Sequence, residues 1–243
     1  MKKILYSTLI ITILLISITG CVTKKNKDDF NDIPPIQDES NINSDALLFK
    51  EEYESLNGNT SSNGLEFRSV SINDNNPFIY STGKDIVEKI RNKETFYVYF
   101  GSSYCPWCRS VIEKFIEVAN NKNIDKVYYV DIWKGDHTEI FRDVYKLNEK
   151  GKPELVSKGD ASYQDLLKYF DKILNDYTLT TPNGQNVKVG EKRIFAPNFI
   201  YVEKGIAKSI AEGVSESQKD PREKLTKKML EDEEKIFKAF FKK

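Results

Sequence analysis

The sequence predicts an α/β protein, a central mixed sheet flanked by helices, and three observations predict it. From residue 65 to residue 243, short β-branched and aromatic runs alternate with runs of helical period, the pattern of a sheet covered by helices. The strongest strand candidate, residues 95–100, leads within five residues into Cys105-Pro106-Trp107-Cys108 and then into a helical pattern. The last two strands are joined by Lys204-Gly205, which permits only an antiparallel return.

The elements follow in order. Residues 22–44 are polar, carry Pro34 and Pro35, and read as a tether. Residues 45–56 predict a short helix with Leu47, Leu48, Tyr53 and Leu56 as its apolar set, inside a flexible stretch that runs to residue 64. The ordered domain is expected to begin at Leu65. Phe67, Val70 and Ile72 predict a strand that Asn75-Asn76-Pro77 ends. Ser81 or Thr82 caps a helix to about Asn92, with Ile86, Val87 and Ile90 on one face.

Residues 110–120 predict a helix with Val111, Ile112, Phe115, Ile116 and Ala119 facing in and Glu113, Lys114 and Glu117 facing out. Residues 126–133 predict a second apolar strand. Residues 138–148 and 162–175 predict helices, the latter striped by Leu166, Leu167, Phe170 and Leu174. Pro182-Asn183-Gly184 suits a hairpin turn with positive φ. Residues 195–202 predict a strand broken by Pro197, with residues 206–210 returning beside it. Asp220, Pro221 and Glu223 predict the start of a last helix, with Leu225, Met229, Ile236, Phe237 and Phe240 inward. The acidic run Glu231-Asp232-Glu233-Glu234 is expected to be its solvated face.

The N-terminus carries a separate message. Lys2 and Lys3 precede a mostly apolar run from Ile4 to Ile18. That run is shorter than the roughly 20 residues a spanning helix needs, so residues 1–20 read as an export signal. Thr19-Gly20 directly before Cys21 resembles the lipobox of bacterial lipoproteins. The resemblance implies that Cys21 is alkylated by a diacylglyceryl group, becomes the new N-terminus and anchors the chain to the outer face of the cell membrane. An ordinary signal peptide, or an uncleaved anchor, with Cys21 incidental is the plainer alternative. An exported chain meets a compartment that permits disulfides.

Composition narrows the chemistry. The 37 basic and 37 acidic residues balance, so charge gives no case for a nucleic-acid partner. The chain has 3 cysteines, and with Cys21 lipidated only Cys105 and Cys108 remain as thiols. Such a pair closes too short a loop to be a useful staple. At a strand-to-helix junction it can cycle between dithiol and disulfide, because a helix start favours the reactive thiolate. One C-x-x-C offers two metal ligands where a structural zinc site needs four, so no metal or other cofactor is expected. His137, the one histidine, follows Gly135-Asp136 and reads as solvated or capping.

The order of elements resembles the thioredoxin fold over residues 65–243. Two motifs carry the resemblance: Cys105-Pro106-Trp107-Cys108 after its strand, and Ala196-Pro197 before Asn198-Phe199-Ile200-Tyr201-Val202 and the Lys204-Gly205 hairpin. The resemblance implies that Pro197 is a cis-proline beside the thiols, preceded by Ala196. It implies thiol–disulfide exchange on protein substrates, with Cys105 as the exposed nucleophile, Cys108 as the resolving thiol, and Pro106 and Trp107 shaping the site. It extends to extracytoplasmic thioredoxin-like lipoproteins and to accessory proteins of bacteriocin export, and leaves room for a membrane redox partner.

The sequence departs from simple members of that family in two places. Residues 134–192 look like a helical and hairpin insertion ahead of the Pro197 strand. Tyr99 stands six positions before Cys105, where many relatives hold a buried acid, and a phenol titrating near 10 is a poor proton acceptor. A non-catalytic binding or export-accessory module with a static disulfide is therefore the alternative expectation.

Overall fold

A computed structural model of the chain describes residues 43–136 and 138–241. The expected leader, Cys21, the tether through residue 42 and His137 lie outside those residues. The described elements are α1 (Ser44–Glu54), β1 (Phe78–Tyr80), α2 (Gly83–Arg91), β2 (Phe96–Gly101), α3 (Pro106–Asn121), β3 (Val127–Asp131), β4 (Val144–Leu147), β5 (Pro153–Ser157), α4 (Tyr163–Phe170), β6 (Asn175–Thr180), β7 (Asn186–Arg193), β8 (Asn198–Glu203), β9 (Ile206–Ala211) and α5 (Lys227–Phe240).

Five strands form a mixed sheet in the order β1-β3-β2-β8-β9. β1 and β2 each pair parallel with β3, while β8 runs antiparallel to β2 and β9 antiparallel to β8. The alternation of side chains along each strand divides the core in two. On β2, Tyr97 and Tyr99 face α1, α3 and α5, whereas Phe96, Val98 and Phe100 face α2 and α4. On β8, Phe199 and Tyr201 join the first face, Ile200 and Val202 the second. The first face is an aromatic stack, with Phe115 4.0 Å and Tyr99 4.5 Å from Phe199 between ring centroids.

Several expected elements are as the sequence indicates. Thr82 caps α2 through a reciprocal pair with Asp85. Asn183-Gly184 turns β6 into β7, with Gly184 at φ +83°. Lys204-Gly205 turns β8 into β9, and a side chain at Gly205 would meet the Ile90 carbonyl.

Others differ. Residues 65–72 form no named strand; Phe67, Val70 and Ile72 are buried as separate anchors of an irregular segment, and β1 lies later. The helix expected over residues 138–148 does not form: residues 138–143 are irregular and 144–147 make a hairpin with β5, because Val144 and Tyr145 find a partner strand across the turn at Asn148. The last helix starts at Lys227 with Thr226 as N-cap, and Asp220-Pro221-Arg222-Glu223 closes only a local turn through the Glu223 carboxylate.

The short helix at the start is part of the core, not of a tether. Of the residues expected inward, α1 buries Tyr53 but exposes Leu47 and Leu48, and it buries Ala46 and Phe49 in their place. Its position is set by Arg109 of α3, whose guanidinium is wholly buried. Arg109 donates to the Tyr53 carbonyl (2.8 Å), the Arg68 carbonyl (2.7 Å), the Asn57 side-chain oxygen (2.8 Å) and the Ser103 carbonyl (3.2 Å). The region expected as an insertion supplies α4, which buries Leu166, Leu167 and Phe170 against the second face, and two antiparallel hairpins.

Two stability predictions follow from burial. Arg109→Met takes this donor from three backbone carbonyls, while the Asn57 oxygen keeps the Val70 amide, and is expected to cost about 3 kcal/mol or more. Urea unfolding reads the loss and hydrogen exchange reads the release of α1; an unchanged midpoint would show that Phe49 and Tyr53 dock α1 unaided. The second concerns Glu233, which is not on a solvated face: it is 0 % exposed and neither carboxylate oxygen has a hydrogen-bond partner. Burial pushes its carboxyl up to about 7, against the opposing pull of Lys114 and Arg68. The folded state therefore holds this proton where the unfolded state releases it, and stability falls as pH rises from about 4.5 through 7. Glu233→Gln should leave stability at pH 4 unchanged and raise it by about 1–3 kcal/mol at pH 8, read by thermal melts across pH.

Candidate functional site

The site is built where β2 ends and α3 begins. Six residues of β2 run to Gly101, the chain turns through Ser102–Tyr104, and Pro106 takes the first helical position, where a missing N–H costs nothing. α3 thus starts four residues earlier than its apolar period indicates, and both cysteines belong to its first turn. Cys105 is the N-cap, and the Cys108 amide donates to Cys105 Sγ at 3.4 Å. Both cysteines are free thiols. Cys105 Sγ also donates to the Ala196 carbonyl oxygen at 3.5 Å, which brings the start of β8 against the pair. The Ala196–Pro197 peptide bond is cis, as expected.

The two sulfurs are electrostatically unlike. The Cys105 thiol is lowered from its ordinary value: the Cys108 thiol donates to it, and the Cys108 and Trp107 amides and the Arg142 charge assist against burial. The Cys108 thiol is raised well above its ordinary value, first by burial and then by its hydrogen bond to Cys105 and the charge that Cys105 takes on. Cys105 is not the exposed group expected: it is 4 % exposed, with Ala196 packed over it. Beside it lies a groove of about 420 Å³ lined by Trp107, Phe195, Ala196, Pro197 and Val214, with Asn175 and Glu212 as its polar members. Trp107 is half-buried and forms one wall.

Of the residues singled out in the sequence, the structure brings Cys105, Cys108, Tyr99 and Ala196 into contact and sets Trp107 and Pro197 along the groove. Tyr99 is wholly buried, its hydroxyl lies 2.8 Å from Tyr53 Oη, and its presence opposes the rise of the Cys108 thiol.

Four contributors were missed. Tyr53 comes from the helix assigned to a tether. Ser102, in the turn before α3, opposes the burial that raises both the Cys108 thiol and the Asp131 carboxyl. Asp131, at the end of β3, has its carboxyl pushed up to about 7 by burial and by the Glu52 carboxylate. Arg142 is buried, paired with Glu139 through Nε at 2.8 Å, and bonded to the Ile194 carbonyl at 3.2 Å just ahead of Ala196. Comparison of the chain with protein-family models and with curated proteins finds no match.

The arrangement predicts which sulfur controls the other. Removing the donor thiol in Cys108→Ala should move the pH midpoint of Cys105 alkylation upward, and Cys108→Ser, which keeps a hydroxyl donor, should move it less. Iodoacetamide rates across pH make the measurement; equal midpoints in all three proteins would assign the shift to the helix start alone.

Proposed function

We propose that the chain is a thioredoxin-like thiol–disulfide oxidoreductase that acts on protein substrates at the outer face of the cell membrane, held there by a lipid on Cys21. The observation that carries this reading is the opposite displacement of the two thiols. A low-titrating Cys105 at the start of α3 suits attack on a substrate disulfide, and a protonated, deeper Cys108 suits later resolution of the mixed disulfide. The mixed five-stranded sheet, with α1, α3 and α5 on one face and α2 and α4 on the other, supports the thioredoxin-like part. The apolar groove at Trp107 and Pro197 offers room for a substrate segment beside the thiols.

The 4 % exposure of Cys105 favours a second reading, a binding or export-accessory lipoprotein whose dithiol or disulfide does not turn over. The two are separated with full-length protein in detergent micelles. An oxidoreductase reduces insulin disulfides with dithiothreitol as the electron source, and Cys105→Ser abolishes the rate enhancement. A wild-type protein that neither accelerates insulin reduction nor exchanges with glutathione is the static module.

A further inference from the structure

The open edge of the sheet runs into the groove beside the thiols. We propose that a substrate polypeptide binds there in extended form, as an added strand on the β9 edge, and that Glu212 takes a lysine or arginine side chain of that segment. The proposal rests on the exchange reading above and names its substrate class: polypeptide disulfides with a basic residue near the reactive cysteine.

The two edges of the sheet are finished differently. On β1 the outer backbone is met by α1 and its cap: the Tyr80 amide donates to Asp45 at 3.0 Å, and the Asn43 side chain donates to the Phe78 carbonyl at 3.5 Å. β9 pairs with β8 on one side, and among the described residues no strand pairs with its other side. At the hairpin end Lys208 guards that edge, 3.5 Å from Glu203, as charged side chains do on exposed edge strands. From Ser209 onward the edge opens instead into a cavity of about 580 Å³. Its walls include Ser209 and Ala211 of β9, Ile236 and Phe240 of α5, and Ile173. Phe240 belongs to the first face of the sheet and Ile173 to the second, so the cavity straddles the strand edge. The Ser209 hydroxyl is buried there without a hydrogen-bond partner. A slot with free backbone at its floor and apolar walls on both sides suits an added strand, whose amides pair with the edge and whose side chains fill the walls.

This slot continues into the groove at the thiols. Asn175, Glu212 and Val214 line both. Ala211 pairs with Phe199, so Glu212 follows at the end of β9 level with the start of β8, where Ala196 covers Cys105. A strand laid along the edge therefore passes Glu212 a few residues from a cysteine that reaches Cys105.

Glu212 is the one charged residue among the described lining of either space. Burial alone acts on its carboxyl, raising it from its ordinary value, and no neighbouring charge assists or opposes. An incoming cation would offset that cost. A lysine or arginine fits the surroundings as well as the charge, because its methylene stem packs along apolar walls while its head reaches the carboxylate. A single carboxylate with no second acidic ligand beside it does not suit a divalent cation.

The probes are nine-residue Val/Thr/Ser peptides with a central cysteine and with Lys, Gln or Glu placed in turn at each flanking position. Binding to the full-length protein in detergent micelles is read by fluorescence anisotropy, with serine in place of the cysteine. At the best position the Lys peptide should bind about 3–10-fold tighter than the Glu peptide at low salt, and the difference should shrink at high salt. Glu212→Gln should abolish the preference and Glu212→Lys reverse it. N-methylation of alternate peptide amides should weaken binding about 5-fold in the set that faces β9 and leave the other set unaffected.

Reaction is read with the cysteine carried as a nitrothiobenzoate mixed disulfide. The Cys105 thiolate attacks the peptide sulfur, and nitrothiobenzoate leaves with the electron pair and gives the signal. Its release should follow the same order, Lys before Gln before Glu.

Equal affinities for the three peptides, or a preference that survives in folded Glu212→Gln, would overturn the role of Glu212. Indifference to both methylated sets would overturn strand addition. Binding seen only after residues 22–42 are removed would assign the edge to the chain's own tether, and dimers that dissociate in Glu212→Lys would assign it to a second copy; either overturns the proposal. A protein that binds the Lys peptide selectively yet releases no nitrothiobenzoate overturns the exchange reading and leaves the binding edge standing.

Discussion

The buried guanidinium of Arg109 is the contact on which the site's architecture depends. A charge taken fully out of water is tolerated only when its donors are met, and here the acceptors are drawn from α1, the segments after it and the loop before α3. Satisfying that one group ties pieces of chain that share no strand or helix. The same contact delivers the Tyr53 ring to Tyr99 and fixes Ser103 in the loop that shapes the first turn of α3. Helix, loop and cysteine pair are therefore one mechanical unit.

Within that unit the two sulfurs differ because they occupy different depths of the same helical turn. Cys105 sits at the cap, where amides without helical partners and a neighbouring thiol favour its charge. Cys108 lies three residues on, against the sheet, where burial opposes charge. Tyr99 of β2 and Ser102 of the loop moderate that opposition. The segment from Glu139 to Arg142 works on the other side, pinning the chain ahead of Ala196 and setting a positive charge near Cys105. The region read as an insertion is thus joined to the site through Arg142 and to the core through α4.

How far the fold could be read depended on how local its causes are. Thr82 with Asp85, Asn183-Gly184 and Lys204-Gly205 act over a few residues, and those boundaries were legible. Asp220 and Glu223 form a local motif just as clear, yet it closes a turn six residues ahead of the helix. Leu47 and Leu48 looked like the inward face of α1, but Phe49 and Tyr53 hold the aromatic stack and the leucines face out. Glu233 sits in an acidic run that reads as solvated, and helical period alone turns it inward between Met229 and Phe237.

The sequence by itself determined the α/β class, the cysteine pair at a strand-to-helix junction and the place of Pro197, because each rests on a contiguous pattern of residue types. Tertiary structure alone decided that Tyr53 meets Tyr99, that Arg142 approaches Cys105 and that Cys105 is covered. Those pairings join residues far apart in the chain, and the free energies that decide them, burial of a charge or a phenol and satisfaction of its hydrogen bonds, exist only once the segments have packed.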